Sequence, residues 1–456
     1  MPLLRRRAAA PLAGLAAWAL ASSSAAAGLE PAGWLKLDKR LLLEDRAALL
    51  PIYHEASLGL AAFPAEQLEL HMSGRLRFYD VAITGGLDGL GDPAQAMPMD
   101  LLLWEASVDV YDVIRDRLDL RLGKQRVAWG TADRFNPTDN LNPDDLSDFL
   151  AFGAKLPTWA LRADLIILEG YLKLTAVWLP GPVPALLPRF GELPLGGSTA
   201  DSVGELAPSD IATAVGTVGL GLPRADLAHS MQALKLAGSA LGVDWSLSYF
   251  HGYDDIPIEK DVVIRVVSPV EIAIDATAVL PETHVAGADL AGELFSVGWW
   301  VEAAVFFPQE VALALTAPTL QGRRTAEAVI LHADPYTKLT AGLDYTFFWG
   351  SYVNLQYVHG LFAERGGALR DYLVLGLRHN FLDGQLTLTN GFIFDTDAFD
   401  DVTRNYGVSM TYELLYKPFD NIDLGLGHVL IAGEGRSLFA GMPHGDQTYL
   451  KAKVSF

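Results

Sequence analysis

From Leu68 onward the chain alternates apolar and polar side chains with a period of two. Between Leu68 and Tyr79, Leu70, Met72, Gly74, Leu76 and Phe78 alternate with His71, Ser73, Arg75, Arg77 and Tyr79. Between Leu102 and Tyr111, Leu102, Trp104, Ala106, Val108 and Val110 oppose Leu103, Glu105, Ser107, Asp109 and Tyr111. Between Arg117 and Gly123, Leu118, Leu120 and Leu122 oppose Arg117, Asp119, Arg121 and Gly123. At the far end Thr448, Leu450, Ala452, Val454 and Phe456 share one side, and Tyr449, Lys451, Lys453 and Ser455 the other. Successive side chains of a strand point to opposite faces, so each stretch reads as a two-faced strand. The pattern predicts about sixteen such strands from Leu68 to Phe456, with two weaker ones at Trp34–Leu43 and His54–Ala62 making about eighteen.

Alternation alone does not say what the apolar face touches, because a soluble β-sandwich shows the same period. The links between strands are more telling. Short ones (113–116, 169–170, 238–242, 350–351, 381–384, 418–421) alternate with long ones (80–98, 129–157, 180–228, 308–335, 360–370, 395–403, 432–445). A transmembrane barrel with short turns at one end and long loops at the other produces this rhythm, and a sandwich has no reason to. The parity of up and down strands holds only if Gly252–Thr283 is one long outer loop, with its strand-like part, Val262–Asp275, not crossing the membrane. The expected fold is therefore all-β: a transmembrane antiparallel up-and-down β-barrel of about 16–18 strands with long extracellular loops. Aromatics near strand ends (Trp129, Trp178, Trp299 with Trp300, Phe347 with Phe348 and Trp349, Tyr406, Tyr412 and Tyr416) suit the girdles at the two membrane interfaces.

Composition sharpens this in three places. Arg5–Arg7, the apolar Ala8–Leu20 and the small residues Ala25–Ala27 have the layout of a secretory signal peptide cut after Ala27. The expected division is signal peptide 1–27, an amino-terminal segment 28–67 holding the two weaker strands, and the barrel over 68–456. The 456 residues carry a formal net charge of -21 and no cysteine. Thiolate chemistry, disulfides and Cys-bound metals are excluded, and acidity argues against a nucleic-acid partner. Tyr345–Ala363 is charge-free and long enough to cross a bilayer as a helix, but Gly350, Ser351, Asn354 and Gln356 interrupt it at strand spacing.

With an aromatic last residue, the final strand resembles the terminal strand of bacterial outer-membrane barrels. That resemblance implies recognition by the barrel-assembly machinery through Phe456, and outer-membrane lipid and lipopolysaccharide as surroundings. The segment Arg121–Leu146, with Leu122-Gly123-Lys124-Gln125, Trp129-Gly130, Asn136-Pro137-Thr138-Asp139 and Asn142-Pro143, resembles large outer-membrane barrels of the alginate-export and porin-like type. Gly287-Ala288-Asp289-Leu290 and Trp300-Val301-Glu302-Ala303-Ala304 resemble a second piece of the same families. The likeness implies a cell outer-membrane address and a channel, without a substrate.

Charge on the lipid face costs about 2–4 kcal/mol at the bilayer midplane, so charged positions must face the lumen. Arg75, Arg77, Glu105, Asp109, Arg117, Asp119, Arg121, Lys338, Asp344, Arg378, Asp423, Lys451 and Lys453 are the expected pore-lining residues. In the loop after Trp129-Gly130, each residue before proline is kept out of the α conformation, and Asn and Asp side chains satisfy their own backbone. An ordered loop follows, which either folds into the pore or lies on the surface; Asn136, Asp139, Asn142 and Asp144 are its constriction candidates. No G-x-S-x-G elbow is present, His251, His359 and His379 are scattered near strand ends, and no enzyme is expected. Asp395-Thr396-Asp397 with Asp400-Asp401 mimics a calcium loop but lacks its glycine and its closing Glu, so these read as solvated loop carboxylates; no metal and no cofactor are expected. The resulting function is an outer-membrane channel for diffusion or export of a polar or charged solute or polymer. The alternative is a non-conducting barrel that binds a partner through loops 180–228 and 252–283.

Overall fold

The structure, a computed structural model, describes residues 29–43, 49–50, 52–82, 91–148, 151–188, 212–268, 271–319, 322–361, 363–397, 399–435, 437–440 and 446–456. The expected signal peptide lies outside the described residues. Strands in chain order are β1 (Leu29–Leu42), β2 (Leu49–Leu50), β3 (Tyr53–Ala65), β4 (Leu68–Tyr79), β5 (Met99–Val110), β6 (Leu118–Gln125), β7 (Thr158–Leu168) and β8 (Leu172–Leu179). They continue as β9 (Ala212–Gly221), β10 (Met231–Ala240), β11 (Val243–Tyr253), β12 (Ile258–Ser268), β13 (Glu271–Val279), β14 (Glu282–Leu294), β15 (Val297–Pro308), β16 (Val311–Thr319) and β17 (Gly322–Leu331). The last are β18 (Tyr336–Thr346), β19 (Ser351–His359), β20 (Asp371–Phe381), β21 (Leu386–Thr396), β22 (Tyr406–Phe419), β23 (Ile422–Glu434) and β24 (Gln447–Ser455).

Leaving out the two-residue β2 and the five strands β9, β12, β13, β16 and β17, the rest pair antiparallel, each with its neighbour in the chain. The ring closes where β24 meets β1, in register from Trp34 opposite Ser455 to Leu42 opposite Gln447. The result is a closed 18-strand barrel. Closure leaves no free edge, which is what lets a sheet satisfy its backbone in hydrocarbon. Both weak amino-terminal candidates are barrel strands, β1 and β3.

The outside carries a belt of exposed apolar side chains, among them Leu37, Leu58, Met72, Leu122, Leu161, Leu234, Leu247, Leu343, Leu355, Leu426 and Leu450. Their neighbours along each strand point inward and are mostly polar, as the alternation requires. One phase is corrected. Ser73 pairs with Glu105 but Gly74 pairs with Leu103, so Trp104 is an extra residue in a bulge. Below it Leu101 and Leu103 face outward, while Trp104 turns inward beneath the Arg75 guanidinium, 3.5 Å from its ring. Two expected girdle residues are also inside: Trp129 and Trp300 are buried.

Three long connections contain a second, five-stranded sheet in the order β17-β16-β12-β13-β9. The expectation that Val262–Asp275 does not cross the membrane holds, since β12 and β13 pair only within this sheet. Its small core is Val262, Ile274 and Ala276. Sequence reading left β9, β16 and β17 inside featureless loops; they become strands by pairing with one another, β12 with β16 and β13 with β9 running parallel.

Candidate functional site

The described residues of the connection between β6 and β7, 126–148 and 151–157, fold into the barrel. Their anchor is Glu302, on the inward phase of β15 and fully buried. The Glu302 carboxylate accepts from the backbone N–H of Thr131 (2.8 Å), Ala132 (3.0 Å) and Thr138 (2.9 Å) and from the Thr138 hydroxyl (2.7 Å). A carboxylate ringed by donors is a strong, charge-assisted anchor. Gly130 makes the approach possible: its φ is +88, and a Cβ there would collide with the Glu302 carboxylate. The Thr340 hydroxyl of β18 donates to the Phe135 carbonyl at 2.7 Å.

The loop then returns to its origin. Arg126 pairs with Asp139, and the Asn142 side chain accepts from Val127 N–H (2.7 Å) while donating to the Leu156 carbonyl (2.9 Å) and the Thr158 hydroxyl (3.0 Å). It ends on the opposite wall. Arg77 of β4 donates to Asp145 (2.7 Å) and to Glu55 of β3 (2.6 Å), and Arg40 of β1 donates to Asp148 (2.9 Å). All four constriction candidates, Asn136, Asp139, Asn142 and Asp144, thus lie inside the barrel.

Of the expected pore-lining residues, Arg75, Arg77, Glu105, Asp109, Asp119, Arg121, Lys338, Asp344, Arg378, Asp423, Lys451 and Lys453 fall on the inward phase of the pairing. Arg117 does not: it is exposed in the tight turn before β6. Strand pairing begins at Leu118, so the lipid argument never applies to Arg117. Many of the rest are paired rather than free: Asp109 with Arg121 (2.6 Å), Lys451 with Glu413 (3.6 Å), Asp423 with Lys417 (3.7 Å). Lys338 donates to the Leu361 carbonyl at 2.6 Å.

The loop leaves two chambers. The outer one, toward the long connections, has a volume of about 400 Å³ and is lined by charged side chains including Arg126, Asp139, Asp144, Lys155, Asp254, Asp255 and Lys338. The inner one, about 610 Å³, lies against β19–β22 and is lined mainly by neutral polar and small residues: Asn354, Gln356, Gly376, Asn390, Gly391, Ser409 and Thr411. Arg378, Lys451, Glu413 and Asp133 add charge to it. Arg134 and Phe135 line both chambers. Arg134 has a left-handed backbone (φ 72), a strained choice for a non-glycine residue, and Gly153 packs against it so closely that a Cβ would come within 2.7 Å of the Arg134 carbonyl.

Sequence reasoning missed most of the outer chamber's electrostatics. Lys155 pairs with Asp144 at 2.8 Å, Asp255 accepts from the Asp144 N–H at 2.5 Å, and Arg365 clasps Asp254 at 2.6 Å and 2.7 Å. Desolvation, with the Asp144 carboxylate adding to it, pushes Asp255 up to about 7. Burial raises Asp144 as well, against the pull of Lys155. For Lys155 burial works against the charge, but Asp144 and Asp255 outweigh it and hold the ammonium protonated. Asp395, read as a solvated loop carboxylate, is instead fully buried at the end of β21 and accepts from the Leu438 N–H at 2.9 Å. It faces inward, and the loop 437–440 closes over it.

No family model matches this chain, and no curated relative does. Among solved structures the chain is similar to Pseudomonas aeruginosa OccK9 (OpdG), with a TM-score of 0.51 at 11% identity over 94% of this chain and 97% of that one. It is also similar to Acinetobacter baumannii OccAB4, with a TM-score of 0.50 at 9% identity over 94% and 98% of the two chains. At such identities the likeness is one of fold. With the closed barrel and its apolar belt, that fold is the one of bacterial outer-membrane porins, and the cell outer membrane is where such a barrel resides.

Proposed function

We propose that this protein is a passive diffusion channel for a small polar solute, whose route runs from the outer chamber, past Arg134 and Phe135, into the inner one. The observation that carries the reading is that shared pair of lining residues: the folded-in loop leaves two spaces, and Arg134 and Phe135 form part of the wall of each. Constrictions built from charged side chains set ion preference in pores. The passage beside the loop suits a small solute better than a polymer of the kind an alginate-export barrel carries, and the many internal ion pairs leave little unbalanced cationic surface for a polyanion. Phe456 supports the assembly role proposed for it: its backbone pairs with Gly33 (2.8 Å and 2.9 Å) while its side chain stays exposed.

Planar-bilayer recording of the purified protein tests this. Ohmic single-channel steps are expected, with swelling of proteoliposomes in small neutral sugars and charged acids. Arg134→Ala is expected to raise conductance and shift selectivity toward cations; an unchanged channel would place the route elsewhere. A silent bilayer would overturn the channel reading and favour the partner-binding one, for which the five-stranded sheet with its exposed edge strand β17 is the specific support.

A further inference from the structure

We propose that His251, Glu282 and His284 form a binding site for a divalent transition-metal ion, with zinc as the fitting case, on the outer rim of the barrel and outside the pore. His251 of β11 stands directly opposite His284 of β14, and Glu282 lies two residues before His284 on the same strand. The imidazoles stack with centroids 4.4 Å apart and planes 18° from parallel. The Glu282 carboxylate lies 2.9 Å from His251 Nε2. One ligand atom from each of the three side chains falls within 4.8 Å of the other two.

Position makes the cluster accessible. Phe250, Val285 and Thr283 are the inward, buried phase here, so His251 and His284 share the outer phase with Tyr249 and Leu247. They stand at the long-loop end of the strands, just past the exposed apolar belt.

The chemistry is suited to a borderline metal. Two imidazoles and a carboxylate are the donor set of open zinc sites, which keep the fourth position for water. Tetrahedral ligands at about 2.0–2.2 Å from zinc sit roughly 3.3 Å from one another, so side-chain rotation closes the cluster without moving either strand. The Tyr249 hydroxyl, 2.7 Å from His284 Nδ1, holds that ring in place from behind, as partners of metal-bound imidazoles commonly do. Hard cations such as calcium and magnesium prefer all-oxygen sites and do not fit. The site also has a mechanical consequence. β11 and β14 are the two legs from which β12 and β13 rise, and Asp254 N–H to the Pro281 carbonyl (2.8 Å) closes the neck between them. A metal on His251 and His284 fastens those legs together at the base of the five-stranded sheet.

The full-length protein in detergent, freed of metal by chelator, would be titrated calorimetrically with zinc chloride and compared with His251→Ala/His284→Ala. The wild type is expected to take up one zinc ion more per chain than the double variant. Glu282→Gln is expected to weaken that ion about tenfold or more, within the range such partner losses cause. Calcium and magnesium at the same concentration are expected not to displace it. Equal zinc uptake by wild type and double variant would overturn the proposal. Should a variant lose the faster gel migration of the unheated barrel, cobalt decides on the wild type alone: intense visible bands of a tetrahedral ion support the site, and the pale spectrum of an octahedral aquo ion overturns it. Because the cluster lies outside the lumen, a silent bilayer leaves this result standing, and failure to bind zinc leaves the channel reading standing.

Discussion

The two chambers inside this barrel are built in opposite ways. The inner one is made by strands: Asn354, Gln356, Gly391, Ser409 and Thr411 are inward positions of β19, β21 and β22, and their spacing is fixed by the pleat. The outer one is made largely by loops, and its charged groups come from connections far apart in the chain: Asp144 and Lys155, Asp254 and Asp255, Arg365. Neutral polar groups on a strand need only water. Charges brought together by loops need one another, because an unpaired buried charge is costly. The difference teaches that the strand-built walls of the inner chamber stand whatever the loop does, while the outer chamber exists only as long as its ion pairs do.

The largest expected effect comes from freeing the loop that separates them. Glu302→Ala leaves the Thr131, Ala132 and Thr138 donors without their acceptor, and each buried stranded donor costs about 1–3 kcal/mol. The chambers should merge, with severalfold higher single-channel conductance and frequent gating noise, while the heat-modifiable barrel persists on gels. A variant with wild-type conductance would show that the loop is held by its other anchors.

A smaller effect is expected within the inner chamber. Arg378 is exposed there, its guanidinium 5.0 Å from the Tyr352 ring, so Arg378→Glu reverses a charge that faces the route. The reversal potential in a salt gradient should move toward cation preference, with conductance little altered. The same measurement on Arg117→Glu should show no shift, since Arg117 lies in a turn.

The smallest effect is the pH dependence of the outer chamber. Asp255, pushed up to about 7, binds its proton more tightly in the folded protein than in the unfolded chain. Its stabilising contribution is therefore complete below the ordinary carboxylate range and is lost as pH rises through about 7. Thermal melting in detergent should fall between pH 5 and pH 8, and Asp255→Asn should flatten that fall. An equal slope in wild type and variant would assign the dependence to other groups.

How far the chain could be read in advance follows the same division. Thr387 and Thr389 alternate with Leu386 and Leu388, so a period-two reading puts them on the lumen side without any coordinates. Trp104 shows where that reading breaks: a single bulge residue reverses the phase of Leu101–Leu103, and nothing local announces it. Glu302 lay within a recognised segment, yet its role depends on a loop 164 residues away in sequence. Asp395 looked like a surface carboxylate because a short Asp-rich run normally is one; it is buried because the loop 437–440 folds over it.

By itself the sequence determined what a local period can determine: strand after strand, their inward and outward faces, the alternation of short and long links, and hence a closed barrel in lipid. Hydrocarbon enforces that much, since a misplaced charge or an unpaired backbone group there is prohibitively expensive. Only the tertiary structure decided where the long connections go, that three of them share a sheet, that one divides the lumen, and which charges find each other across it. Those outcomes rest on contacts between segments remote in the chain, for which no periodicity exists to be read.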